Sequence, residues 1–308
     1  MTSPSLTVTV PGKTLLKAIG EVPDGVDVHV WDLKSPAPAA HIDLLVAPYI
    51  APNVKFPGID DVTTTLIQSQ SIGYDGVEGT LPPGRVYANA ATVHETATAE
   101  LTLALLLAAQ RDIPRSVLNA QTGLWQGSTT PSVADRNVLI VGYGGVGAAI
   151  EARLTGFETH ITRVARSARE SAYGPVHALA DLPGLLPTAE IVILAVPLTE
   201  DTRDLADAAF LAALPDQALV VNIARGPVLN TAAALAEAES GRLRFALDVT
   251  DPEPLPADHP LWTLPNVLIT PHLGGAATSM MSRMAALVHR QIGHLLAGEP
   301  VENVVIRS

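Results

Sequence analysis

Residues 138–147 read VLIVGYGGVG, an apolar run that ends in Gly142, Gly144 and Gly147. This is the G-x-G-x-x-G spacing of a dinucleotide-binding turn. Each glycine meets a separate demand. Gly142 permits a tight turn at the end of a strand, Gly144 lets a pyrophosphate approach the backbone, and Gly147 lets the next helix pack close on the strand. AAIEARL follows at 148–154, a sequence able to form that helix, and the free N–H groups at its start would receive the phosphates. Strand, turn and helix in this order are far more specific than the glycines alone. They predict a nucleotide site built on Gly142, Tyr143, Gly144, Gly145, Val146 and Gly147.

Working outward, further apolar runs follow at THITRV (159–164), EIVILAV (190–196), ALVVNI (218–223), RFALDV (244–249) and NVLIT (266–270). Segments able to form helices separate them, which predicts βαβ units and a parallel sheet. Upstream, SLTVTV (5–10), VDVHVW (26–31), IDLLVA (42–47) and TTLIQSQ (64–70) read as strands bounded by Pro/Gly-rich breaks. HETATAELTLALLLAAQR (94–111) is the longest helical pattern, and the polar stretch 112–136 reads as a surface excursion. The fingerprint therefore opens a second domain in mid-chain. After it, SMMSRMAALVHRQIGHLLAG (279–298) reads as a helix ended by Gly298, and ENVVIRS is too short for a third domain. The tail is expected to return to the first domain, making that domain discontinuous, with a cleft between the two.

The net charge of −12 over 308 residues argues against a broad surface for nucleic acid or anionic lipid. The absence of cysteine excludes disulfides and thiolate metal sites. LTLALLLAA (101–109) is too short to span a bilayer, and MTSPSLTVTVPGK lacks the charged start and apolar core of a signal peptide. A soluble cytoplasmic protein is expected, with neither membrane nor nucleic acid as partner.

Seven segments in order resemble the D-isomer-specific 2-hydroxyacid dehydrogenases: SIGYDGVE (71–78), ATAELTLALLLAAQR (97–111), VGYGGVG (141–147), AVPLTEDTRDL (195–205), NIARGPVLN (222–230), ALDVTDPEPLP (246–256) and TPHLGG (270–275). The resemblance implies an α/β protein in which a Rossmann-type parallel-sheet cofactor domain (97–275) is inserted into a smaller flavodoxin-like substrate domain (1–96 and 276–308). It also implies a homodimer.

Reducing a 2-keto acid needs a carboxylate anchor, a cation near the carbonyl and a proton for the new hydroxyl. Arg225 follows the apolar run ALVVNI, so it falls at a strand's C-terminal end, where such sheets bind ligands. A guanidinium there can hold the carboxylate and polarise the carbonyl. A lone Arg would otherwise read as half of a surface ion pair. The resemblance makes His272 the general acid for reduction and base for oxidation, with Glu253 fixing its tautomer. Nine histidines in the chain make a bare His poor evidence, and His94, at the head of the long helix, is left without a role. The resemblance further assigns Val196, Pro197, Thr202, Ile223, Ala224, Asp248 and Gly274 to the cofactor. Substrate contacts fall to the backbone of Ile72 and Gly73, with Arg225 and His272. Tyr49, Tyr74 and Trp262 are candidates for the substrate wall, with core packing as the plainer alternative. Asp251, Glu253, Asp258 and His259 do not read as a metal site, because Pro252, Pro254 and Pro256 break any regular ligand spacing; no metal is expected.

NAD-specific members carry an acidic residue about twenty positions past the glycines. Here THITRVARSARE (159–170) has none before Glu170. Arg166, Ser167 and Arg169 stand in its place, two cations and a hydroxyl suited to a 2′-phosphate, with Arg163 as a competing alignment. NADP(H) is favoured and NAD(H) possible. The expected activity is reduction of a small 2-keto acid to the D-2-hydroxy acid. The alternatives are a non-enzymatic nucleotide-sensing corepressor, or a dehydrogenase of the same fold acting on phosphite, formate or phosphoglycerate.

Overall fold

A computed structural model describes residues 6–49 and 56–308; Ser5, at the head of the first expected strand, lies outside the described residues. The chain runs β1 (Leu6–Val10), α1 (Lys13–Ile19), β2 (Val26–Val30), β3 (His41–Val46), β4 (Thr63–Gln68), β5 (Val86–Ala88) and α2 (Glu95–Gln110). It continues with α3 (Ile113–Gln121), β6 (Asn137–Val141), α4 (Gly145–Leu154), β7 (His160–Ala165), β8 (Arg169–Ser171) and β9 (Gly174–Ala178). Then come α5 (Leu182–Leu185), β10 (Ile191–Leu194), α6 (Ala208–Ala212), β11 (Leu219–Asn222), α7 (Thr231–Glu239), β12 (Arg244–Leu247), β13 (Val267–Ile269), α8 (Met280–Ala297) and β14 (Val304–Arg307). Two compact units result: Met1–His94 with Ala277–Ser308, and Glu95–Ala276.

The first unit has a six-stranded sheet in the order β2-β1-β3-β4-β5-β14, parallel except for β14, which pairs antiparallel with β5. The first five strands follow the flavodoxin-like order. The second unit has the order β8-β9-β7-β6-β10-β11-β12-β13. From β9 to β13 all pairs are parallel, and the order turns back between β6 and β10, as in a Rossmann sheet. Helices cover both faces of such a sheet, so its strands are apolar throughout rather than alternating. In β6, Leu139 and Val141 enter one core and Val138 and Ile140 the opposite one. Ile191 to Leu194 divide between the same two cores.

Two elements depart from the expected plan. The stretch after α2 is not wholly irregular, because α3 occupies nine of its residues. Ile113, Val117 and Leu118 on it are exposed, as is Trp125 beyond it. The antiparallel pair β8–β9 was not legible in SARESAYGPVHA, which lacks apolar alternation; Gly174 at φ +116° makes its turn possible.

At the opposite, N-terminal end of the second sheet, Glu190 joins β6 to β10. Its carboxylate accepts from the Asn137 N–H at 3.0 Å and pairs with Arg136. Burial alone would raise this carboxyl, but the two donors outweigh it and hold it below the ordinary glutamate value. A depressed carboxyl contributes stability above its unfolded pKa, and loses it as pH falls through the folded one. Glu190→Gln should therefore cost about 0.5–1 kcal/mol at pH 7, the partial exposure keeping it small. Chemical denaturation at stepped pH should show the gap closing below about pH 4.3.

Candidate active site

The three fingerprint glycines occupy distinct environments. A Cβ on Gly142, which has φ +111°, would overlap the backbone of Ala195 and Val196. One on Gly147 would lie 2.5 Å from the Gly142 carbonyl oxygen and 3.3 Å from Ile140 Cγ2. Gly144 faces open space. The turn is tied to the neighbouring strand, since the Gly142 and Tyr143 N–H groups donate to the Val164 carbonyl at 2.9 and 2.8 Å. α4 then starts with no side-chain cap. Orphan N–H donors at a helix N-terminus beside a glycine with no side chain form an anion cradle.

Behind the turn lies a network that the sequence did not advertise. The Tyr143 ring is buried, and its hydroxyl donates to the Glu151 carboxylate on α4. Arg163 on β7 donates twice to the same carboxylate and stacks over the Tyr143 ring at 5.9 Å. Burial first, and then Glu151, push the Tyr143 phenol above its ordinary value; the Glu151 bond raises the Arg163 guanidinium. Arg163 is therefore neutralised within the fold. Arg166 and Ser167, just past the end of β7, are exposed, and Arg169 donates to the Tyr143 carbonyl.

The remaining candidates of this unit also lie past the C-terminal ends of parallel strands. Val196 and Pro197 follow β10, Ile223, Ala224 and Arg225 follow β11, Asp248 follows β12, and His272 follows β13. Thr202 is buried and donates its hydroxyl to the Pro197 carbonyl at 2.6 Å, so it shapes this loop from within. Arg225 is positioned through its backbone, its carbonyl accepting from Asn222 Nδ2 at 3.1 Å. A Cβ on the adjacent Gly226 would overlap the Thr250 carbonyl, so the loops of Arg225 and Glu253 pack backbone to backbone.

His272 adopts a left-handed φ of +55°, a conformation that needs support in a residue other than glycine. Asp248 supplies that support. Its carbonyl accepts the His272 N–H at 2.8 Å, and its Oδ1 accepts from Thr270 Oγ1 at 2.6 Å and the Leu273 N–H at 2.8 Å. Oδ2 accepts the Gly274 N–H at 2.8 Å, while the Gly274 carbonyl accepts from Thr98 Oγ1 at 3.1 Å. His272 Nδ1 and Glu253 Oε1 are 2.6 Å apart, and the two side chains are 44% and 39% exposed. A carboxylate only accepts, so Nδ1 donates and Nε2 is the nitrogen left for proton exchange.

In the first unit Ile72 and Gly73 follow β4. Tyr49, Tyr74 and Trp262 are exposed rather than core residues. Among the described residues no group of three or more metal-ligating side chains forms a cation site, and no helix is long and apolar enough to cross a membrane.

Residues 103–274 match the family model described as D-isomer specific 2-hydroxyacid dehydrogenase, NAD binding domain. The chain belongs to this family. The dehydrogenase is 34% identical over 245 residues to glyoxylate/hydroxypyruvate reductase B of Citrobacter koseri, covering 76% of each chain. It is 31% identical to the D-3-phosphoglycerate dehydrogenase of Methanocaldococcus jannaschii, over 78% of this chain and 47% of that one. Its fold superposes on a D-isomer specific 2-hydroxyacid dehydrogenase from Xanthobacter autotrophicus, solved with NADPH and MES, with a TM-score of 0.82, 28% identity and 99% coverage of each. The dehydrogenase is thus an NAD(P)-dependent oxidoreductase. Sequence reasoning missed Glu151 and the clamp made by Asp248. Glu151 lies four residues past Gly147, where an acid in an apolar helix was the available signal.

Proposed function

We propose that this dehydrogenase uses NADPH to reduce small 2-keto acids, such as glyoxylate or hydroxypyruvate, to D-2-hydroxy acids. The observation that carries the reading is the His272–Glu253 pair, held past the C-terminal end of a strand in the sheet that bears the glycine cradle. The second unit serves as the cofactor domain and the first as the substrate domain. Ile72 and Gly73 offer backbone N–H groups to the substrate carboxylate.

The residues fit a dinucleotide: the bare backbone at Gly144 and the first N–H groups of α4 suit a pyrophosphate. Val196, Pro197, Ile223, Ala224 and Gly274 are assigned to its walls. Asp248 and Thr202 act there through the loops they hold. Arg166 and Ser167, with Arg169, are assigned to the 2′-phosphate; Arg163 is committed to Glu151. When bound, the reduced nicotinamide supplies the hydride. Arg225 orients the carboxylate and polarises the carbonyl as negative charge grows on its oxygen. His272 delivers the Nε2 proton to that oxygen and recovers it in the reverse direction, while Glu253 keeps Nδ1 protonated and stabilises the imidazolium.

Absorbance at the reduced-nicotinamide band, with NADPH and NADH in parallel against a panel of 2-keto acids, tests this directly. Faster loss of NADPH is expected. Arg166→Ala should lower NADPH efficiency about tenfold to hundredfold, the loss of one charge-assisted phosphate contact, and leave NADH little changed. Faster loss of NADH overturns the cofactor assignment. Activity confined to 3-phosphohydroxypyruvate moves the substrate to phosphoglycerate, and tight nucleotide binding without turnover favours a sensor. The same sample should sediment at twice the chain mass. No residue of α3 is buried, and so short a helix does not hold alone in water; a second copy is assigned to its exposed face.

A further inference from the structure

The turn after β4 has four successive carbonyls, all taken by the protein. Ser69 accepts from Gln68 Nε2 at 2.8 Å, Gln70 from His94 Nε2 at 2.6 Å, Ser71 from the Ala90 N–H at 2.9 Å and Ile72 from Asn89 Nδ2 at 2.8 Å. The Ile72 and Gly73 N–H groups, by contrast, donate to no acceptor among the described residues. Among the donors to the four carbonyls, His94 is the last residue before α2. Of the other three donors, Gln68 ends β4, and Asn89 and Ala90 directly follow β5.

His94 is buried. A carbonyl only accepts, so Nε2 carries the proton and Nδ1 the lone pair. That Nδ1 is buried and has no hydrogen-bond partner among the described residues, with the Tyr49 ring packed edge-on at 6.1 Å between centroids. An orphaned buried nitrogen is a standing cost that an apolar side chain of similar size would avoid. What the imidazole provides in exchange is one short bond, to Gln70.

We propose that His94 is a positioning residue for carboxylate recognition. By fixing the Gln70 carbonyl it holds the peptide planes of the turn, so that the Ile72 and Gly73 N–H groups stay available together. The inference rests on the substrate role assigned above to those two N–H groups. Nothing in it requires His94 to touch substrate.

Three variants test it. His94→Leu removes the donor, His94→Gln restores an N–H near the Nε2 position, and His94→Asn places one nearer Nδ1. His94→Leu and His94→Asn should raise KM for the preferred 2-keto acid about tenfold, with kcat and the NADPH Kd within about twofold. Affinity for oxamate, measured calorimetrically on NADPH-saturated protein, should fall in parallel. His94→Gln should recover most of both. Should the Leu variant fail to fold, the contrast between Gln and Asn decides. Equal damage in Gln and Asn, or a fall in kcat and NADPH affinity alongside KM, overturns the proposal in favour of a merely structural histidine. Ile72→Pro deletes one N–H outright and separates the two layers. A raised KM there with an unchanged KM in His94→Leu sinks the role of His94 alone, whereas unchanged KM in both sinks the substrate role of the turn.

Discussion

His272→Asn is expected to lower kcat by about 10²–10⁴-fold, the usual contribution of a positioned general acid or base, while NADPH binds within about twofold of wild type. The imidazole is the only group at this position with a nitrogen that can both give and recover a proton, because Nδ1 is committed to Glu253 at 2.6 Å. An asparagine keeps a polar head but has no proton to give at the working pH. Glu253→Gln should cost less, about tenfold to hundredfold, since its amide oxygen can still accept from Nδ1 while the charge that stabilises the imidazolium is gone. Single-turnover absorbance gives the chemical step, and fluorescence titration gives cofactor affinity. A loss of NADPH affinity as large as the loss of kcat would remove His272 from the proton-transfer role.

Asp248→Asn is expected to damage folding and turnover together. The native carboxylate accepts three donors, Thr270 Oγ1 and the Leu273 and Gly274 N–H groups. An asparagine has one acceptor oxygen and an NH2 that meets at least one of those donors head-on. Leaving a buried donor unsatisfied costs about 1–3 kcal/mol, so a stability loss of about 2–4 kcal/mol is expected. Catalysis should fall by at least about 10²-fold, because the clamp holds His272 at φ +55° and small displacements of a catalytic group are costly. Urea denaturation and kcat on the same preparation provide the check. Full stability with reduced NADPH affinity alone would instead make Asp248 a direct cofactor ligand and nothing more.

Much of this fold was legible because it depends on local chemistry. Apolar runs of four to six residues bounded by turns favour parallel strands in a covered sheet, and β6, β7, β10, β11, β12 and β13 appear where such runs stood. The glycines at 142 and 147 are readable for the same reason: each is required by its immediate surroundings, whereas Gly144 faces open space. The α3 helix was not legible. None of its residues is buried, so it leaves no pattern of burial in the sequence. The β8–β9 pair has no apolar alternation to betray it.

The site divides along the same line. Residue types, their order along the chain and the family resemblance they carry singled out Arg225, Glu253 and His272 for the proposed acid–base reaction on a carboxylate substrate, and residues 159–169 hold no acid at the end of β7. Only tertiary structure decided which charges remain available for that chemistry. Glu151 neutralises Arg163 from twelve residues away, Asp248 spends its carboxylate on the turn that carries His272, and His94 reaches back twenty-four residues to Gln70. Hydrogen bonds act over about 3 Å in space and carry no mark of sequence distance, so partners chosen by the packing of strands and helices cannot be read from the chain alone.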